Sequence, residues 1–210
     1  MTIQLYDYWR SSAAYRVRIA LNLKGLAYAA VPISLIAGDH RADEYRAKNP
    51  QGFVPMLEID GQRLTQSLAI IDYLDATRPE PLLIPADPAA RARQLAMALV
   101  IAADIHPVNN LRILKYLQDM LGIAEDARND WYRHWIVEGF TALEAMADPG
   151  QPFLGGAAPG IADICLVPQM ANARRFDTPL DAFPTLVRID AACQAIDAFA
   201  RARPEAVKPA

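Results

Sequence analysis

The chain has 210 residues, enough for one or two domains with a sizeable core. Hydrophobic residues make up 53%, charged residues 21%, and the net charge is -3. Composition therefore gives no reason to expect nucleic acid or a membrane surface as partner, although a local basic pocket remains compatible with it. No apolar run is long enough to span a bilayer, and residues 1–10 lack a basic leader followed by an apolar stretch. Cys165 and Cys193 fall in no CxxC or metal-ligand spacing, which argues against a disulfide framework and for a reducing, cytoplasmic compartment. His40, His106 and His134 lie far apart and form no zinc pattern, so no metal is expected.

Ile3–Tyr6 reads as a short strand. Ser11–Lys24 reads as a helix that Ser11 or Ser12 can cap, with Val17, Ala20 and Leu21 on its buried stripe and Gly25 closing it. One helix buries a stripe, so at least one of Arg16 and Arg18 is expected to be a solvated surface charge. Ala27–Ile33 is a second strand, and Arg41–Lys48 a short helix stopped by Asn49-Pro50. Val54–Ile59 and Gln62–Thr65 flank Asp60-Gly61, a strong hairpin signal. Ser67–Ala76 is a third helix. The order β-α-β-α-β-β-α makes residues 1–80 an α/β layer domain.

A proline-rich break follows (Arg78-Pro79-Glu80-Pro81, then Pro85 and Pro88) and reads as a linker. Beyond it no strand pattern recurs, and residues 88–205 read as an all-helical domain. Arg91–Met120 is a long helical stretch with Leu111, Leu114, Leu117 and Leu121 at helical spacing, interrupted by His106-Pro107-Val108-Asn109-Asn110. Tyr132, Trp135, Ile136, Gly139, Phe140 and Leu143 form a second stripe. Ile161–Phe176 and Pro184–Ala200 are further helices, with Cys165 and Cys193 as core residues. The tail Arg203–Ala210 is expected to fray.

Four features have the makings of a site. Arg10-Ser11-Ser12 lies where a strand gives way to a helix. The helix N-terminus there favours anions and thiolates, and a serine hydroxyl could donate to one or merely cap the helix. Val54-Pro55 opens a strand, either as an ordinary edge proline or as a cis bond that exposes the Val54 backbone to an extended peptide. Gln66-Ser67 opens the third helix and could hold a carboxylate or simply cap. His106, Asn109 and Asn110 sit at the kink, facing either a cleft or solvent. Arg10 and the pair Arg174-Arg175 could bind anions, although arginines near a helix C-terminus are favourable in any case.

The order and spacing of these features resemble the glutathione transferase superfamily over nearly the whole chain: a thioredoxin-like N-terminal domain, then an all-helical domain. Ser11-Ser12-Ala13-Ala14-Tyr15-Arg16-Val17-Arg18-Ile19-Ala20-Leu21 looks like the zeta-class motif SSCxxRVRIAL, and Asn49-Pro50-Gln51-Gly52-Phe53-Val54-Pro55 is similar to NPQGxVP. Gln66-Ser67 matches the glutathione contact, and Asn109-Asn110-Leu111 with Leu114-Lys115-Tyr116 resembles the fourth helix of that class.

The resemblance implies glutathione as cofactor. Ser11 would stabilise its thiolate, with Ser12 beside it. Val54, before a cis Pro55, would pair with its backbone, and Gln66 and Ser67 would hold its γ-glutamyl carboxylate. His40 and Gln51 would lie near the rest of the tripeptide, with His106, Asn109 and Asn110 lining the cleft. Arg10 and Arg175 would hold the carboxylates of an unsaturated keto-dicarboxylate. The implied reaction is cis-trans isomerisation of maleylacetoacetate to fumarylacetoacetate, in tyrosine and phenylalanine catabolism, by reversible thiolate addition to the double bond, carried out by a cytoplasmic homodimer. Alternatives are isomerisation of maleylpyruvate in gentisate breakdown, transfer of glutathione to small α-haloacids, and a non-catalytic binding module. Relatives acting on maleylpyruvate carry an arginine after the asparagine pair, where this chain has Leu111. Two departures stand out: Ala13 replaces the motif cysteine, and Gly160 replaces the Ser/Thr that opens the capping box at Asp163.

Overall fold

The computed structural model describes residues 2–209. The chain divides into two compact units, one formed by residues up to Leu83 together with those from Ala195 on, the other by Ile84–Gln194. Among the described residues no helix is long and apolar enough to cross a membrane.

The first unit is built on a four-stranded sheet of order β2-β1-β3-β4. Strand β1 (Gln4–Asp7) runs parallel to β2 (Ala29–Pro32), and helix α1 (Ser12–Leu23) makes the crossover that a parallel pair requires. β1 is antiparallel to β3 (Met56–Ile59), and β3 is antiparallel to β4 (Gln62–Thr65) in a hairpin. Asp60 and Gly61 both take positive φ at its tip (53° and 76°), the condition for the turn that matches strand twist. A short 3-10 turn (Asp39–Arg41) and α2 (Asp43–Lys48) precede β3, and α3 (Ser67–Thr77) follows β4.

Helix α1 is capped at both ends by its own sequence. The Ser11 hydroxyl accepts from Ala14 N at 3.2 Å. At the other end Gly25 (φ 65°) lets Leu26 N reach Leu21 O at 2.9 Å and Gly25 N reach Asn22 O at 3.0 Å, a pairing that satisfies two terminal carbonyls.

The expectation that one of Arg16 and Arg18 is solvated is wrong, because α1 is covered on more than one face. Arg16 is 2% exposed and Arg18 fully buried. Arg18 spends its donors on Asp7 (both oxygens, 2.8 Å), Trp9 O (3.1 Å) and Ala202 O (3.0 Å). A buried guanidinium needs such a full set of acceptors. The same bonds anchor the chain up to Ala202, and the tail expected to fray from Arg203 on opens with a helical turn. Ala202 and Phe199 are fully buried, Asn22 Nδ2 donates to Ala198 O at 2.9 Å, and Pro204–Val207 forms a helical turn (α11) after α10 (Asp197–Ala200). Ala210 lies outside the described residues.

In the second unit α4 (Pro88–Leu99) starts at a proline capped by Asp87, whose carboxylate accepts from Ala90 N at 2.8 Å. The long helical stretch breaks at His106–Asn110 as expected, and a π-helical segment spanning Val100–Ile105 precedes the break: a short turn α5 (His106–Val108) follows that segment, and α6 (Leu111–Asp119) starts anew. α6 buries none of its residues; Leu111 and Leu121 of its expected stripe stay exposed. Helix α7 (Glu125–Met146) does bury Tyr132, Ile136, Phe140 and Leu143. Gly139 lets it approach the π segment: a Cβ there would lie 2.3 Å from Ile105 Cδ1. Helix α8 (Ile161–Arg175) is the centre of this unit, with twelve buried residues. Asp163 fixes the loop before it by accepting from Leu154 N (2.8 Å), Gly155 N (2.8 Å) and Gly160 N (2.9 Å), so glycine suffices at the cap position. Helix α9 (Pro184–Gln194) ends earlier than expected and is capped from α7, where Glu144 accepts from Thr185 N at 2.8 Å and Leu186 N at 3.0 Å. Cys165 and Cys193 are buried thiols; burial, reinforced by Asp163 and Asp190, pushes the Cys193 thiol far up.

Candidate active site

Three segments of the first unit carry predicted site residues, each at the end of a regular element. Ser11 precedes the first turn of α1, a twelve-residue helix with no acidic side chain in that turn to compete with an anion. Its hydroxyl uses a lone pair on Ala14 N, and a hydroxyl still has one proton to donate. Ser12 is buried and Ser11 half-buried. Arg10 is exposed, its guanidinium 4.7 Å from the Trp9 ring centroid.

The second segment is the loop before β3. Val54-Pro55 is cis, and Glu80-Pro81 is a second cis bond that sequence reasoning missed. The ladders of β3 begin at Met56, so Val54 lies outside them. Tyr45 Oη and Asn49 Nδ2 both donate to Phe53 O, which fixes the chain just before Val54. Gly52 takes φ 63°, and a Cβ there would sit 2.7 Å from His40 O. Glycine thus lets the His40 carbonyl pack against position 52, next to Gln51.

The third segment is the start of α3. Gln66 takes φ 66°, an uncommon conformation for a non-glycine residue and one enriched at ligand sites. Its Nε2 donates to Gln51 Oε1 at 2.8 Å, so two predicted contacts from separate loops meet. Ser67 is buried, and its Oγ accepts from Arg16 Nη1 at 3.2 Å. That arrangement leaves the Ser67 proton for an acceptor and sets a cation behind it. Sequence reasoning missed Arg16 here; two arginines on an otherwise apolar helix were the signal that could have found it.

In the second unit His106, half-buried, follows the π segment, an irregularity often found at functional sites. The asparagines first serve the backbone. Asn109 Nδ2 donates to Tyr132 O at 3.0 Å, and Asn110 Oδ1 accepts from Arg112 N at 3.1 Å to start α6. Asn109 Oδ1 is buried with no hydrogen-bond partner among the described residues. The two arginines at the end of α8 divide: Arg174 pairs with Asp190 at 2.7 Å, whereas Arg175 is exposed and lies 4.9 Å from the Phe176 ring centroid. Among the described residues no group of His, Cys, Asp and Glu could hold a metal ion.

These donors fit glutathione by type: a hydroxyl at a helix N-terminus for its sulfur, the Val54 backbone outside the β3 ladders for its peptide, and Ser67 with Gln66 for a carboxylate. The family model "Glutathione S-transferase, N-terminal domain" matches residues 5–82. A maleylacetoacetate isomerase of Rhizobium meliloti (strain 1021) is 54% identical over 98% of this chain and 97% of its own. The structure of a maleylpyruvate isomerase described as a zeta-class bacterial glutathione S-transferase superposes with TM-score 0.95, at 44% identity and 99% coverage of both chains. A maleylacetoacetate isomerase of Methylobacterium extorquens, with malonate and glutathione bound, gives TM-score 0.94 at 41% identity, covering 99% of this chain and 100% of that one. With a near-full-length relative at this identity, the same fold, and a serine-capped helix, cis proline and Gln-Ser helix start in the expected places, the chain belongs to the zeta class of the glutathione transferases, the class that holds such isomerases.

Proposed function

We propose that this protein isomerises maleylacetoacetate to fumarylacetoacetate with glutathione as cofactor, in the catabolism of tyrosine and phenylalanine. The observation that carries the reading is the Ser11 hydroxyl at the N-terminus of α1, engaged as an acceptor and available as a donor. Bound glutathione supplies the sulfur nucleophile that adds to the cis double bond and leaves after rotation. The chain's residues keep that sulfur ionised, place it, and hold the substrate's charges. Ser11 donates to the thiolate in the field of the helix N-terminus, with Ser12 in the first turn. Val54, before Pro55, offers its backbone groups to the tripeptide, and Gln66, Ser67, Gln51 and His40 take its polar ends. His106, Asn109 and Asn110 contribute polar groups from the kink. Arg10 and Arg175 clamp carboxylates and oppose the negative charge that develops on the conjugated ketone.

Maleylpyruvate is the second reading, supported by the TM-score of 0.95 to an isomerase of that name. Leu111 follows the asparagine pair in place of an arginine and favours maleylacetoacetate. Parallel turnover of maleylacetoacetate, maleylpyruvate and dichloroacetate decides: the highest kcat/KM is expected for maleylacetoacetate. A preference for maleylpyruvate would move the assignment to gentisate breakdown. A preference for dichloroacetate would make the protein a haloacid transferase.

A cytoplasmic homodimer is part of the same proposal. Leu111, Tyr116, Met120 and Leu121 form an exposed apolar group along and just beyond α6 that a second copy would cover. Sedimentation at micromolar concentration tests it, and a monomer would remove it.

A further inference from the structure

Three consecutive residues of α7 reach three targets. Trp131 Nε1 donates to Val108 O at 3.0 Å, the Tyr132 carbonyl accepts from Asn109 Nδ2 at 3.0 Å, and Arg133 Nη1 donates to Phe176 O at 3.0 Å. The Tyr132 ring lies flat on the Phe176 ring, with centroids 3.6 Å apart and planes 14° from parallel. The Arg175 guanidinium sits 4.9 Å from the centroid of that same Phe176 ring, and its charge opposes the rise that burial imposes on the Tyr132 phenol pKa. The neighbouring Arg174 behaves as a structural arginine does and finds the buried carboxylate of Asp190. Arg175 has no carboxylate partner among the described residues; the face of Phe176, stacked in turn on Tyr132, holds it instead. Those contacts fix a cation without neutralising it.

We propose that Tyr132 and Phe176 are positioning residues that hold Arg175 in place for a substrate carboxylate. The inference rests on the reading of Arg175 as a substrate-anion ligand. A long arginine gives up rotamer freedom when it grips an anion, and one already fixed has less to lose. The Arg133 bond to Phe176 O holds the backbone that carries the ring, and the Asn109 bond ties the same turn of α7 to the break at His106–Asn110. The anion-binding arginine and the kink therefore share one anchor, which the stripe pattern of α7 presented as core alone.

The test is calorimetric binding of malonate to the full-length, glutathione-saturated protein, with turnover measured alongside. Arg175→Ala weakens malonate at least about tenfold. Tyr132→Leu loses the ring stacked on Phe176; Phe176→Leu, at a half-buried helix end, loses the planar face itself. Each weakens malonate about two- to fivefold and raises KM by a similar factor, with kcat within about twofold and glutathione affinity unchanged. Phe176→Tyr, which retains the face, binds malonate as the wild type does. If Arg175→Ala weakens malonate and Phe176→Leu does not, the positioning role is overturned while the anion-ligand reading stands. If Arg175→Ala leaves malonate binding intact, both are overturned.

Discussion

Ser11 carries two duties that substitution can separate. Its hydroxyl accepts from Ala14 N at 3.2 Å, the long end of the range for such bonds, so its capping contribution falls near the lower part of the usual scale, about 0.5–1 kcal/mol. Glycine at a cap position costs only about a few tenths of a kcal/mol, whereas alanine loses the cap. Neither can donate to a thiolate. A hydrogen bond to a charged group contributes about 1.5–3 kcal/mol, and one pKa unit is about 1.36 kcal/mol, so both variants should raise the pKa of bound glutathione by about one to two units. The sign follows from the donor: Ser11 favours the charged form, its loss favours the thiol, and activity lost near neutral pH returns as pH rises. The assay is the ultraviolet absorbance of the bound thiolate against pH, with thermal unfolding on the same samples. Ser11→Gly should unfold close to the wild type and Ser11→Ala measurably earlier, while both titrate late. A Ser11→Gly protein that titrates like the wild type would refute Ser11 as the thiolate donor and leave it as a cap.

Other consequences are as definite. Arg18→Met strands the buried Asp7 carboxylate and removes the bond to Ala202 O, and should cost about 3–5 kcal/mol in chemical denaturation; a loss below about 1 kcal/mol would contradict the account of that pair. Hydrogen bonds from Arg78 and Tyr73 hold the Asp60 carboxyl below its ordinary 3.8. The folded state therefore binds that proton less readily than the unfolded chain, so the stability it contributes is present above that value and lost as pH falls through the lower one. Asp60→Asn should flatten the acid limb of stability against pH, and an unchanged limb would show the contacts to be idle. Cys165 and Cys193, both buried, should resist iodoacetamide at neutral pH until the chain unfolds; labelling of the native protein, read by mass spectrometry, would contradict their burial.

Local signals were enough for much of the fold. Ser11, Gly25 and Asp60-Gly61 each act within a few residues of their own position, and the structure uses them as caps and turns in those places, whereas Ser67, read as a possible cap, makes no cap bond and accepts from Arg16 instead. What sequence reading missed depends on groups far apart in the chain. At least one of Arg16 and Arg18 was expected at the surface because amphipathic periodicity assumes one buried face; their partners Ser67 and Ala202 lie 51 and 184 residues away. The chain just before the tail is held at Ala202 by Arg18, a residue of another element that no local pattern links to it. Helical spacing suggested burial for the leucines of α6, but spacing fixes which residues share a face, and only a packed neighbour buries that face. The site divided in the same way: Ser11, Gln66 and Val54-Pro55 were visible as irregularities at element ends, whereas the Gln51–Gln66 contact and the Phe176 ring beside Arg175, stacked on Tyr132, exist only in three dimensions.

The most direct measurement follows the loss of maleylacetoacetate absorbance by the purified protein, with and without glutathione, in excess fumarylacetoacetate hydrolase, while free glutathione is assayed before and after. The account predicts turnover only when glutathione is present, with all of it recovered. No glutathione-dependent turnover, or glutathione consumed one for one with substrate, would contradict it.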